Sequence, residues 1–98
     1  MDVEYEDESL ERLETDPSYD GGHSRPVVKA FRKTVQLIKA APDERAFYAM
    51  KSLHFEKLKG KLAGIQSMRL NDQWRLILEC RGNGLEKIVH VVGIEDYH

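Results

Sequence analysis

Apolar residues recur at helical spacing as far as about residue 50 and then, from Ser67 onward, alternate one in two. A chain of 98 residues with that change of period has one economical way to bury its apolar faces, which is to lay helices on a sheet. Val27, Phe31, Val35 and Ile38 form one stripe of a helix expected over residues 24–40, with Ser24 as its N-cap, Pro26 in its first turn and Ala41-Pro42 as its stop. Asp43 is placed to cap a second helix, over residues 43–51, that presents Ala46, Phe47 and Met50 to the same core. Ser67 to Leu70 and Gln73 to Cys80 read as strands joined through Asn71-Asp72, residue types that tolerate a tight hairpin. Met68, Leu70, Trp74, Leu76, Leu78 and Cys80 then share the covered face, with Trp74 inside, while Arg69, Gln73 and Arg75 point the other way. A last strand runs from about Leu85 to Glu95, and Val3 and Tyr5 alternate with acids as in a short first strand. Glu8 to Leu13 begins a helical turn that Thr15-Asp16-Pro17 breaks. The fold expected is α+β: one domain over residues 1–98, with two main helices packed on one face of a mostly antiparallel four-stranded sheet.

Several function classes are excluded by what is missing. Cys80 is the single cysteine, so no disulfide framework forms within the chain, and no Cys/His pair has zinc spacing. Its place in the strand pattern makes it a small core residue rather than a nucleophile. No zinc site is expected. The opening Met1-Asp2-Val3-Glu4-Tyr5-Glu6-Asp7-Glu8 is the opposite of a signal peptide, and no apolar run approaches the ~18 residues of a membrane span. A cytoplasmic protein with no membrane partner is expected.

The formal net charge of −2 conceals a split. Residues 1–23 carry nine acids against one base, leaving −8, whereas residues 24–98 carry fourteen bases against eight acids, leaving +6. A basic body with an acidic front segment can attract a polyanion through counterion release, provided that segment lies away from the contact. Simple solvation of both surfaces is the plainer reading.

Chemistry is expected on the sheet face that the helices leave open. The chain closes on Glu95-Asp96-Tyr97-His98, so a carboxylate, a phenol and an imidazole follow directly on a strand. Upstream lie Lys57, Lys59 and Lys61, then Arg69 and Arg75. Cleaving RNA by attack of its own 2'-hydroxyl needs a base, an acid and positive charge around phosphorus, and these residue types supply all three without a metal. His98 exchanges a proton near neutral pH, Tyr97 hydrogen-bonds phosphate or stacks on a base, and Asp96 orients a partner or accepts a proton. The competing reading is a frayed, idle terminus beside a wet lysine loop.

Leu58-Lys59-Gly60, then Ser67-Met68-Arg69-Leu70-Asn71-Asp72-Gln73-Trp74-Arg75 and the closing Glu95-Asp96-Tyr97-His98, resemble the HigB-type host-inhibition toxins, or plasmid-maintenance killer proteins, of the RelE/ParE superfamily. The resemblance runs from Val3 to the end. It implies a toxin of a type II toxin–antitoxin system: an endoribonuclease that cuts mRNA in the ribosomal A site beside 16S rRNA and uses no cofactor. A cognate helix-turn-helix antitoxin silences it, and operator DNA is reached only through that antitoxin. The family's RNase residues map onto Asp96, Tyr97 and His98, and onto the basic Arg69 or Arg75 and the Lys57/Lys59 region. Some members also use a histidine just before Leu-Lys-Gly; the nearest here is His54, four residues before Leu58, for which the alternative is a half-buried structural contact with the second helix. Two rivals remain: a non-catalytic binding toxin like the ParE branch, and a subunit that only docks with an antitoxin to repress DNA.

Overall fold

The computed structural model describes residues 1–60, 64–82 and 87–96. Each helix starts and stops for a local reason. In α1 (Glu8–Thr15) the Asp7 carboxylate accepts the Leu10 amide at 3.0 Å, and Glu8 and Glu11 sit in the first turn, where the helix dipole favours acids. The long helix α2 (Arg25–Ala40) has Ser24 at its N-cap and ends where Pro42 forces Ala41 into an extended conformation. The second expected helix is shorter than residues 43–51: α3 covers Arg45–Ala49, and a 3-10 turn, Lys51–Leu53, follows. Asp43 organises its start by accepting the Arg45 amide at 2.9 Å.

The helix-on-sheet α+β architecture is as expected, but the sheet is mixed and has five strands rather than four, in the order β1-β5-β4-β3-β2. These are β1 (Asp2–Tyr5), β2 (Glu56–Lys57), β3 (Gln66–Arg69), β4 (Trp74–Arg81) and β5 (Ile88–Asp96). The Val3/Tyr5 segment enters as an edge strand parallel to β5, and the two-residue β2 closes the other edge against β3, too short for alternation to reveal. The β3–β4 hairpin is wider than Asn71-Asp72 alone. Asn71 Oδ1 accepts the amides of Gln73 at 2.9 Å and Trp74 at 2.8 Å, which draws Gln73 out of the strand.

The core lies between α2 and the sheet. Val28, Phe31, Val35 and Ile38 meet Met68, Leu76, Leu78, Val89 and Val91, with Leu10 and Leu13 of α1 and Phe47 of α3 completing it. Burying each such side chain contributes roughly 1.5–3 kcal/mol. A register shift between Ile77 and Leu78 pairs Ile77 with Gly93 but Leu78 with Val91, leaving Val92 as an extra residue in β5. Because of that bulge Val89 and Val91 share the core side with Ile94, whereas strict alternation would have grouped Ile94 with Ile88, His90 and Val92. Trp74 keeps the expected parity, paired with Asp96 in line with Leu76, yet it is not inside: it lies half-buried at the end of the sheet, its ring edge-on to His23 at 5.7 Å.

Residues 16–23 return against α2 rather than trailing. Arg32 of α2 donates to three carbonyls, Leu13 and Asp16 at 2.9 Å and Tyr19 at 3.1 Å, and the Arg12 guanidinium covers the Tyr19 ring at 4.3 Å. No helix among the described residues is long and apolar enough to cross a membrane.

Candidate functional site

β3 and β4 place Ser67, Arg69, Arg75 and Ile77 on the face opposite the helices, with Arg69 directly across from Arg75. Two guanidinium groups facing each other across a ladder oppose strand pairing. Carboxylates offset this, since Arg69 pairs with Asp72 and an oxygen of Glu56 lies 3.5 Å from Arg75. A positive pair is thereby held on the open face at a spot where pairing energy alone would not place one.

Arg75 is buried, and its bonds explain why. Its Nε donates to the Ser67 hydroxyl at 3.0 Å and its Nη2 to the His54 carbonyl at 2.6 Å. His54 follows the 3-10 turn with φ 45° and ψ 51°, the one non-glycine residue in the left-handed region among the described residues. Such a conformation is disfavoured for a residue with a Cβ and persists only when its surroundings hold it. Here the Arg75 guanidinium holds the carbonyl, and the His54 amide donates to Lys51 at 3.1 Å. The imidazole stays exposed. His54 is therefore not the half-buried contact of the second helix that its place after α3 allows.

His54, Arg69, Asn71, Asp72 and Arg75 line one open depression of about 260 Å³. Of the residues singled out in the sequence, His54, Arg69 and Arg75 are brought together there. Lys57 and Lys59 are exposed but do not line it: Glu56 pairs with Ser67 on the open face, so its neighbour Lys57 takes the other side of the edge strand. Asp96 lies across from Trp74 and its carboxylate accepts from Gln73 Nε2 at 2.9 Å, while Glu95 is the residue across from Arg75. Lys61, Tyr97 and His98 lie outside the described residues.

Ser67, Glu56, Asn71 and Asp72 complete the site and were not singled out in the sequence. Strand parity carries Ser67 to the side of Arg75, but Glu56 depends on where an edge strand docks and Asp72 on how the turn folds. Cys80, expected as a small buried core residue, is half-buried and packs against the core from its rim. Burial, reinforced by the charge of Glu44, pushes its thiol up to about 11, which keeps it protonated at neutral pH.

Over residues 3–98 the sequence matches a family described as the RelE-like toxin of the type II toxin–antitoxin system HigB. Solved structures with the same fold include a YoeB/ParE toxin from Agrobacterium tumefaciens, at 17% identity and TM-score 0.65 with 100% of both chains covered. The YoeB–YefM complex from Staphylococcus aureus aligns at 19% identity and TM-score 0.63, covering 100% of this chain and 97% of that one. YafQ from E. coli aligns at 13% identity and TM-score 0.61, covering 97% and 91%. No curated protein matches the sequence.

Proposed function

Because the chain belongs to the RelE-like toxins of the HigB type, proteins of type II toxin–antitoxin systems, we propose that it is a ribosome-dependent endoribonuclease. It acts in the cytoplasm on mRNA in the ribosomal A site, against 16S rRNA. A cognate helix-turn-helix antitoxin restrains it, and operator DNA is reached only through that antitoxin. The observation that carries this reading is the meeting of an exposed imidazole, His54, with Arg69 and Arg75 in one open depression on the uncovered sheet face.

The reaction runs within the substrate. A 2'-oxygen attacks the adjacent phosphorus as its proton passes to a base, the bond to the 5'-oxygen breaks, and that oxygen takes a proton from an acid. His54 and His98 divide these two proton transfers, Tyr97 positions the phosphate or stacks on the flanking base, and Asp96, anchored by Gln73, orients its neighbours. Arg69 answers the charge that develops on the phosphoryl oxygens. Arg75 supplies fixed positive charge and, through the His54 carbonyl, sets the imidazole in place. Lys57, Lys59 and Lys61 bind the RNA backbone beyond the depression.

Single-turnover cleavage of ribosome-bound message by purified protein tests this. Each acid–base group is worth about 10²–10⁴-fold in rate, so His54→Ala and removal of residues 97–98 each slow the chemical step by that order. Melting changes little on the truncation, because the last residues of a chain contribute little core. Equal cleavage rates for the wild type and both variants would leave only a binding role.

A further inference from the structure

Every charge on α2 is positive: Arg25, Lys29, Arg32, Lys33 and Lys39 stand in Arg25–Ala40 without one acid. Two of the five are occupied, Arg32 by the loop carbonyls and Lys39 by the Glu14 carboxylate. Arg25, Lys29 and Lys33 are exposed and have no ion pair among the described residues. Spaced four residues apart, they form a line along one side of the helix about 12 Å long. Like charges at that spacing weaken a helix, so the line does nothing for the stability of α2. Its neighbour α1 obeys the opposite rule, with acids in the first turn, Arg12 in the last and an Arg12–Asp16 pair.

The line begins at a hollow of about 670 Å³ whose walls include Tyr19, Asp20, His23, Arg25, Lys29 and Arg32, so three cations there face one acid of the front segment, whose carboxylate accepts the Gly22 amide at 2.9 Å. His23 meets the Trp74 ring, and Trp74 pairs with Asp96, so the hollow adjoins the end of the sheet that carries Asp96. The exposed positions of α2 hold no large apolar side chain, and Tyr48 of α3 is the exposed large hydrophobic residue among those described. Protein partners are held mainly by aromatic and Arg anchors seated in pockets, and apart from Arg25 the exposed positions of α2 offer none. A polymer of uniform negative charge needs no such anchors.

We propose that Arg25, Lys29 and Lys33, with the adjoining hollow, grip the phosphate backbone of structured RNA as a second contact, separate from the depression of His54, Arg69 and Arg75. The assignment rests on the RNA-directed reading above and adds to it: the surface that holds the ribosome lies on the helix layer, and the surface that cuts lies on the open sheet.

The test compares full-length wild type with the triple variant Arg25→Gln, Lys29→Gln, Lys33→Gln in binding to purified ribosomes across a salt series. Each lost phosphate contact lowers the slope of log affinity against log salt by ~0.7–0.9, so losing three makes the variant's slope shallower by about 2–3. Circular dichroism melting of the variant matches or exceeds the wild type, which separates lost contact from lost fold. Equal slopes overturn the proposal and leave the stripe as solvated surface. A variant that binds ribosomes like the wild type but loses its antitoxin overturns it in favour of protein docking. Failure of cleavage alone is distinguishable, since protein lacking residues 97–98 keeps the wild-type slope if α2 is the grip. A wild type with no salt-dependent ribosome affinity overturns both readings.

Discussion

His54 joins a strained backbone to an exposed imidazole, for which a proton-transfer role is proposed, and the two properties separate by substitution. In the left-handed region a residue with a Cβ is disfavoured by about 1–2 kcal/mol relative to glycine. Glycine's greater freedom in the unfolded chain offsets much of this, so His54→Gly changes stability by no more than about 1 kcal/mol, in the stabilising direction, while removing the imidazole and, on the proposed assignment, the cleavage. Thermal melting beside single-turnover rates checks this, and a variant that loses melting temperature and rate together shows that the imidazole was structural. Arg75→Ala does the reverse. It strips bonding partners from the Ser67 hydroxyl and the His54 carbonyl and removes a buried charge, at about 2–4 kcal/mol. Arg75→Lys does not restore both bonds, because one ammonium cannot reproduce the fork of a guanidinium. The sequence disclosed Arg75 as an open-face cation through strand parity. Its hold on His54 was illegible because that bond joins residues 21 positions apart through a main-chain carbonyl that no residue type announces.

At the level of elements, the junction of β1 with the helices buries a polar group. The Tyr5 hydroxyl is buried with no hydrogen-bond partner among the described residues, and burial, with the charges of Glu14 and Glu11 behind it, pushes its pKa up to about 12. Tyr5→Phe removes an orphaned polar atom and stabilises the protein at neutral pH by about 1 kcal/mol, readable as a shift in urea midpoint. The pH dependence follows from the sign of the shift. A group that holds its proton more tightly when folded contributes stability in full below its unfolded value of 10, and this is lost as pH rises toward about 12. Cys80 acts likewise from 9.0 to about 11, so the wild type weakens from about pH 9 upward and Tyr5→Phe loses less of its stability above pH 10. An unchanged alkaline profile in Tyr5→Phe would deny that the hydroxyl is desolvated. Elements with a long apolar repeat were legible, since the buried stripe of α2 is the one its spacing announces. The two edge strands were not: β1 owes its pairing to a partner about 86 residues away, and β2 has two residues. The bulge in β5 also escapes sequence reasoning, because one inserted residue reverses parity without changing composition.

Over the whole molecule, the charge split reads as an acidic front segment in sequence and as a load-sharing part of the fold in three dimensions. Residues 1–23 supply the edge strand beside β5, place Leu10 and Leu13 in the core, and meet the basic body through Glu14 with Lys39 and Glu4 with Arg81. Glu4 and Glu6 also flank His90 at 3.0 and 2.5 Å across the β1–β5 pair. Removing the segment therefore differs in kind from neutralising its charge. A fragment of residues 24–98 keeps the β4 side of β5 paired but strips its β1 neighbour along Val89 and Val91, and it opens the core where Leu10 and Leu13 sat. Two buried leucines lost without replacement cost roughly 3–6 kcal/mol at about 1.5–3 each, a large part of the stability of a domain this small. The expected outcome is a fragment with no cooperative urea transition. By contrast, Glu8→Gln with Glu11→Gln alters exposed positions that carry no ion pair among the described residues, and shifts stability by about 0.5 kcal/mol or less per site. Weaker repulsion of phosphate by the same pair raises affinity for ribosomes at low salt, and screening erases the gain as ionic strength rises. A cooperatively folded 24–98 fragment with the wild-type midpoint would make the acidic segment an appendage, and loss of ribosome affinity in the glutamine pair would place those acids in the contact rather than outside it.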